Sequence, residues 1–314
     1  MNDPKQIKEA DNFMKAGVSA NKKSFFHKPD YVTASSSFSK AGDAYSNLNM
    51  FAEAKEAYEQ AAIAYDNSGL QGKSGECYVS AAKAALNHNE SNEVLRLLQE
   101  AKVRFFECDQ PLQGIRRMKE MAQRLKQTDP EVAYVLYDTL LDVIENTEKY
   151  HWEKDSFVDF AILANDMEKY PETFQVWDRA KKAFLFLKNY DNAAHCVVSA
   201  IVIHLKRNDI VAAENLFNEA LQQDWFTKTE DFSMIDMLLR GVKNRDGDLI
   251  AIAQKNVILS FLKPEISRII YSFKAPSKAA EKPTPAANVP ENSNNENNEK
   301  AEEENEEEEE KWLL

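Results

Sequence analysis

The chain of 314 residues is short of helix breakers: it has eight glycines and ten prolines, no proline falls between Tyr31 and Gln110, and no glycine follows Gly247. An all-β sandwich or barrel needs turn residues every ~8–12 positions, and this scarcity excludes one. Cysteine is nearly absent. Cys77, Cys108 and Cys196 are odd in number and far apart, which rules out a disulfide framework and fits a reducing compartment. No run reaches the ~18 apolar residues of a membrane span, and Met1 to Ala20 lacks the apolar core of a signal peptide. The expected location is the cytoplasm, with any membrane contact peripheral.

Catalytic signatures are missing as well. There is no glycine-rich phosphate loop, no histidine pair at the spacing of a metal-binding helix, and no Cys-x-x-Cys. His195 and Cys196 are neighbours on a helix and so point in different directions. Together with His204 they are expected to be core residues, and Cys77 and Cys108 buried small hydrophobes. The expectation is a protein that is not an enzyme and needs no cofactor, metal or small-molecule substrate.

Positive charge is also in deficit. The net charge is -13, and residues 275–314 contribute twelve glutamates against four lysines, leaving -5 for the remainder. A nucleic-acid binder would show a basic footprint, so nucleic acid is not an expected partner. Hydrophobic residues at 43% and charged residues at 29% are ordinary for a folding chain.

What the chain does have is a repeat of about forty residues. Its clearest unit reads Phe38, Ala41-Gly42 and Tyr45, followed by Ala54, Tyr58 and Ala61. This is the tetratricopeptide grammar of aromatic, small pair, aromatic, then small, aromatic, small. Small residues let two antiparallel helices approach closely, and aromatics three or four positions away fill the space between their ridges. The first aromatic slot returns as Phe38, Tyr78, Met118, Phe157 and Val197, and the second as Tyr58, Leu98, Tyr137, Trp177 and Phe217. The small slot returns as Ala61, Ala101, Leu140, Ala180 and Ala220, and the close-packing pairs are Ala41-Gly42, Ala81-Ala82, Met121-Ala122, Phe160-Ala161 and Ala200-Ile201. One residue is missing in the third unit, around Pro130. The period exceeds the usual tetratricopeptide length of about 34.

The expected fold is therefore all-α: a tetratricopeptide-like, right-handed stack of antiparallel helix hairpins over residues 1–225, followed by a small C-terminal helical bundle over 226–274. A helix from about Pro4 to Val18 should pair with one starting at Asp30-Tyr31. The bundle is expected from three apolar-periodic stretches, Phe232–Leu239, Leu249–Phe261 and Ile266–Phe273. Residues 275–314, rich in Pro, Ala, Asn and Glu, cannot bury enough apolar surface to offset ordering entropy, so an acidic disordered tail is expected.

Several features suit binding. Phe25 and Phe26 stand between Lys22, Lys23 and Lys28, a pattern that fits an anionic bilayer surface; the alternative is that both rings pack under the first hairpin. The tail closes on Trp312-Leu313-Leu314, either a docking peptide or the remnant of a last helix. Basic residues gather at Arg116-Arg117 with Lys119, at Lys181-Lys182 and at Lys206-Arg207. A solvated outer face explains such clusters; on a concave wall they would attract an acidic protein partner.

Taken together, the repeat length, the early diphenylalanine, the terminal bundle and the acidic leucine-ending tail resemble the soluble NSF attachment proteins, the gamma branch most of all. Lys28 to Tyr31, Ser39 to Tyr45, Phe51 to Ala64 and above all His204 to Glu214 carry the resemblance, which covers about residues 5–272. It implies an adaptor that coats syntaxin-type SNARE four-helix complexes and recruits the hexameric AAA+ ATPase NSF for SNARE disassembly in vesicle transport. It implies membrane attachment through Phe25 and Phe26 with Lys22, Lys23 and Lys28, and ATPase activation through Leu313 beside Leu314. The SNARE-facing candidates it implies are Arg116, Arg117, Lys119 and Lys154, although Asp155 stands where the alpha member has a lysine. Asp248 aligns with an acidic residue that meets the ATPase, while Ile252 replaces a glutamate. The competing expectation is a generic tetratricopeptide scaffold that reads acidic C-terminal peptides; it needs convergent Lys, Asn and Arg on successive first helices.

Overall fold

Side-chain size dictates the packing of the first hairpins. A Cβ on Gly42 would lie 2.6 Å from the Tyr58 ring, and one on Gly17 would lie 2.6 Å from the Phe38 ring. Each glycine thus admits an aromatic of the following helix to backbone contact. The computed structural model describes residues 3–23 and 28–274, and its described residues form sixteen α-helices with no strand.

The helices follow one another as antiparallel neighbours: α1 (Pro4–Asn21), α2 (Tyr31–Asn47), α3 (Phe51–Asn67), α4 (Gln71–Asn87), α5 (Ser91–Glu107), α6 (Pro111–Leu125) and α7 (Pro130–Thr147). A short α8 (Tyr150–Glu153) precedes α9 (Asp155–Asp166), and α10 (Tyr170–Phe186), α11 (Tyr190–Lys206) and α12 (Ile210–Leu221) complete five hairpins. Every residue of the four repeating slots is buried. The forty-residue period is therefore a period of core contacts. The splitting of the fourth hairpin's first helix into α8 and α9 was not signalled by that period.

A second, shorter period is set by the turns. Asn49, Gly69, Asn89, Asp109, Glu148, Glu168, Lys188 and Asn208 all adopt left-handed backbone, and only one of them is glycine. In each case the next residue's N–H donates to the carbonyl five positions before it, from Met50 to Tyr45 at 2.9 Å through Asp209 to His204 at 3.0 Å. This is the Schellman closure, which satisfies carbonyls left over at a helix end. These residues recur every twenty positions except between α6 and α7. There Thr128 and Asp129 both donate to Leu125, Asp129 caps α7 by accepting from Val132 N–H at 3.2 Å, and Pro130 opens the helix. That turn is where the sequence loses one residue.

After α12 the hairpin pattern ends. α13 (Asp224–Thr227), α14 (Glu230–Asn244) and α15 (Gly247–Ala253) are followed by a 3-10 turn at Val257–Ser260 and by α16 (Pro264–Ser272). The three apolar stretches read from the sequence correspond to α14, to α15 with the 3-10 turn, and to α16. Both α14 and α16 pack on α11, so the first helix of the last hairpin is the floor of the bundle.

Candidate functional site

Ion pairs stitch the stack together at intervals of about one repeat. On the side formed by α3, α5, α7, α10 and α12, Arg96 pairs with Glu59, Arg104 with Asp66 at 2.8 Å, and Lys169 with Glu131 at 3.1 Å. Arg179 alone holds Asp138, Asp142 and Glu145 at 2.8–3.0 Å. On the opposite side Arg117 meets Glu76 at 3.1 Å and Lys83 meets Glu120 at 3.1 Å. Charges that look like a solvated face in sequence are, in space, cross-helix rungs.

This sorts the basic candidates. Arg117 is shared between Glu76 and Glu120, and Lys119 reaches across from α6 to the buried Glu153 of α8 at 2.7 Å. Arg116 is exposed and lies over the ring of Trp152, 5.9 Å from its centroid; Trp152 is 57% exposed. Lys154 is half-buried at the start of α9, next to the exposed Asp155. Arg116 and Trp152 thus form an accessible cationic and aromatic pair, whereas Arg117 and Lys119 are occupied. Trp152 escaped the sequence reading; a tryptophan between Lys149 and Ser156, with no apolar neighbour at helical spacing, was the available signal.

At the other basic clusters, Lys181 and Lys182 both pair with Asp178 of their own helix at 2.7 Å, and the Arg207 guanidinium lies 4.2 Å from the centroid of Tyr170. Lys22, Lys23 and Lys28 are exposed around residues 24–27, so Phe25 and Phe26 lie outside the described residues, as do Leu313 and Leu314. Asp248 is exposed in the first turn of α15, and Ile252 on the same helix is also exposed.

The cysteine and histidine expectations divide. Cys77 and Cys196 are buried, and burial pushes the Cys77 thiol up to about 11, out of the range of a reactive thiolate. Cys108 is only half-buried, a correction to the sequence reading; it sits just past the end of α5, where the helix surface meets solvent. His204 and His195 are half-buried as well. The His204 ring stacks on Phe174 at 3.7 Å between centroids, and burial holds its pKa below the ordinary histidine value.

His195 faces the joint between α11 and α14. Its Nε2 lies 3.6 Å from Oδ2 of Asp231, which is 1% exposed. Burial pushes the Asp231 carboxyl up to about 7 and holds His195 below its usual value. An acid at the second position of a helix looks in sequence like an ordinary dipole partner, so nothing there announces its burial. Among the described residues no group of three or more His, Cys, Asp or Glu side chains is arranged to hold a metal ion, and no helix is long and apolar enough to cross a membrane.

A stack of helix hairpins with cross-helix ion pairs and a terminal bundle has counterparts among known proteins. The chain is 22% identical over 285 residues to the gamma-soluble NSF attachment protein of Dictyostelium discoideum, an alignment covering 90% of this chain and 87% of that one. Among solved structures, Get4 of C. therm. aligns over 88% of this chain and 93% of its own at 15% identity, with a TM-score of 0.43. The family model described as soluble NSF attachment protein, SNAP, matches residues 3–256, from the residue that caps α1 to the loop beyond α15. Through that match over most of its length, the chain belongs to the soluble NSF attachment protein family.

Proposed function

We propose that this protein is a SNARE-disassembly adaptor: it binds syntaxin-type SNARE four-helix complexes at membranes and recruits and stimulates the hexameric ATPase NSF. The family match across residues 3–256 carries the reading. The adaptor performs no chemistry of its own; its work is to present surfaces.

Arg116 and Trp152 are the proposed contact for the acidic SNARE bundle. An exposed guanidinium steers an acidic partner, and the neighbouring indole adds apolar area once water is displaced. Lys22, Lys23 and Lys28 would meet anionic headgroups while Phe25 and Phe26 enter the interface; each lysine near such a surface adds about 1 kcal/mol. Asp248, with Leu313 and Leu314, would face the ATPase. Because cross-helix ion pairs already occupy Arg117 and Lys119, their role is to fix the spacing of helices around Arg116.

The alternative, a scaffold for acidic C-terminal peptides, requires several unpaired cations converging on successive first helices. On α6 both Arg117 and Lys119 are paired, which leaves Arg116 without convergent neighbours there. The test is NSF-dependent disassembly of a syntaxin-type complex followed by sedimentation. Disassembly should require the purified chain, and failure to recruit or stimulate NSF on any such complex rejects the adaptor role.

A further inference from the structure

The Asp231 carboxyl is unfinished. Its Oδ1 is buried and accepts no hydrogen bond from another described residue, and its Oδ2 stops 3.6 Å short of His195. Burying a carboxyl without completing its hydrogen bonds costs stability, so its surroundings should reveal what completes it.

Asp231 lines a cleft of about 500 Å3 between α11 and the start of α14. Asp191 and Glu230, both exposed, line the same cleft. Phe261, 66% exposed, supplies an aromatic wall. Lys228 is the one cation of the rim, and none of the ion pairs among the described residues includes it.

A guanidinium matches these features. Its planar fork donates two parallel N–H groups to one carboxylate and a further N–H to a second, and its face stacks on an aromatic ring. A lysine ammonium offers the charge without the fork or the plane. A neutral amide offers donors without the charge.

We propose that the cleft between α11 and α14 receives an arginine side chain of a protein partner, with Asp231 on its floor, Asp191 and Glu230 at its mouth and Phe261 as the stacking wall. Lys228 on the rim opposes an incoming cation by its like charge. The site is separate from Arg116 and Trp152 and does not depend on the adaptor reading, since any arginine-bearing partner suffices.

The test uses the full chain with methyl-labelled isoleucine, because Ile258 lines the cleft. N-acetyl-arginine amide is titrated beside the lysine and citrulline analogues. The Ile258 methyl signal should shift saturably with the arginine probe, several-fold more weakly with lysine, and not with citrulline. Asp231→Asn and Phe261→Ala should each raise the Kd about tenfold, and Lys228→Met should lower it a few-fold. Phe261 is exposed, so its variant reads binding even if Asp231→Asn misfolds. An unmoved Ile258 signal, equal shifts with citrulline, or affinity unchanged by Phe261→Ala overturns the proposal.

Discussion

The Lys119 ammonium lies 2.7 Å from the Glu153 carboxylate, a pair that ties α6 to α8 with the acid side buried and the lysine only partly so. Removing one member of such a pair leaves a charge without its counterion, which typically costs about 3–5 kcal/mol, at the lower end when one partner keeps some solvent. Lys119→Met should therefore destabilise the fold by about 2–3 kcal/mol in urea unfolding. Lys119→Met combined with Glu153→Leu should recover most of that loss. If the double variant is as unstable as the single one, the pair is not what holds the joint.

Arg116 and Trp152 should behave in the opposite way. Arg116→Ala and Trp152→Ala should leave the thermal midpoint within about a degree of the parent, because exposed side chains contribute little to folding. Each should weaken binding to an immobilised SNARE four-helix complex by roughly 5–30-fold, the range of an interface anchor. Unchanged binding in both variants would move the contact elsewhere on the stack.

Left-handed turn residues offer a gain in stability. Glu148, Glu168 and Lys188 are exposed at φ values of 53°, 57° and 54°, where a Cβ is strained and glycine is not. Replacing each by glycine should stabilise by about 0.5–1 kcal/mol, with the three gains nearly additive. Chemical denaturation of the triple variant checks this, and a midpoint below the parent's contradicts it.

Gly42 predicts a loss. Alanine there meets the Tyr58 ring at 2.6 Å, so the aromatic or its helix must shift. Gly42→Ala should cost about 1–3 kcal/mol, the range of an overpacked core. Gly42→Ala combined with Tyr58→Leu should cost less than the sum of the two single changes, as a double-mutant cycle will show.

Asp231 gives the stack a pH dependence. Its folded pKa of about 7 exceeds the 3.8 of an unburied carboxyl, so between these values the folded state holds a proton that the unfolded state has released. The contribution favours folding at low pH and is lost as pH rises toward 7. His195, depressed by burial, works the other way and loses stability as pH falls. Asp231→Asn isolates the carboxyl: it should match the parent near pH 4 and exceed it at pH 8 by on the order of 4 kcal/mol, at about 1.4 kcal/mol per pKa unit. Parallel stability curves for the two proteins would refute this assignment.

The periodic part of the fold was legible because each repeating slot has one job. Phe38, Tyr78 and Phe157 fill the same gap between helices, so size recurs even where identity does not, and the missing residue near Pro130 marks the one turn closed by a different geometry. Function was less legible. Glu120, three residues after Arg117, is the one partner that spacing could suggest; Glu76 and Glu153, which pair with Arg117 and Lys119 across helices, lie about a repeat away. Asp231 was invisible for a related reason: a carboxyl at a helix start is ordinarily solvated, and only the packing of α14 on α11 buries it.

The cross-helix rungs leave gaps with a mechanical meaning. Among the described residues no ion pair joins α5 to α7 or α10 to α12, and each seam instead carries an open groove, one lined by Val103, Phe106 and Val143, the other by Phe174, Leu216 and Glu219. At the first of these seams the hairpins are still tied on the opposite side by Arg117 with Glu76 and Lys83 with Glu120, whereas opening the seam between α7 and α10 would break the three pairs made by Arg179. The stack is thus braced unevenly among its described residues, with the α7–α10 seam tied three times over by one guanidinium and the α10–α12 seam held by side-chain packing alone.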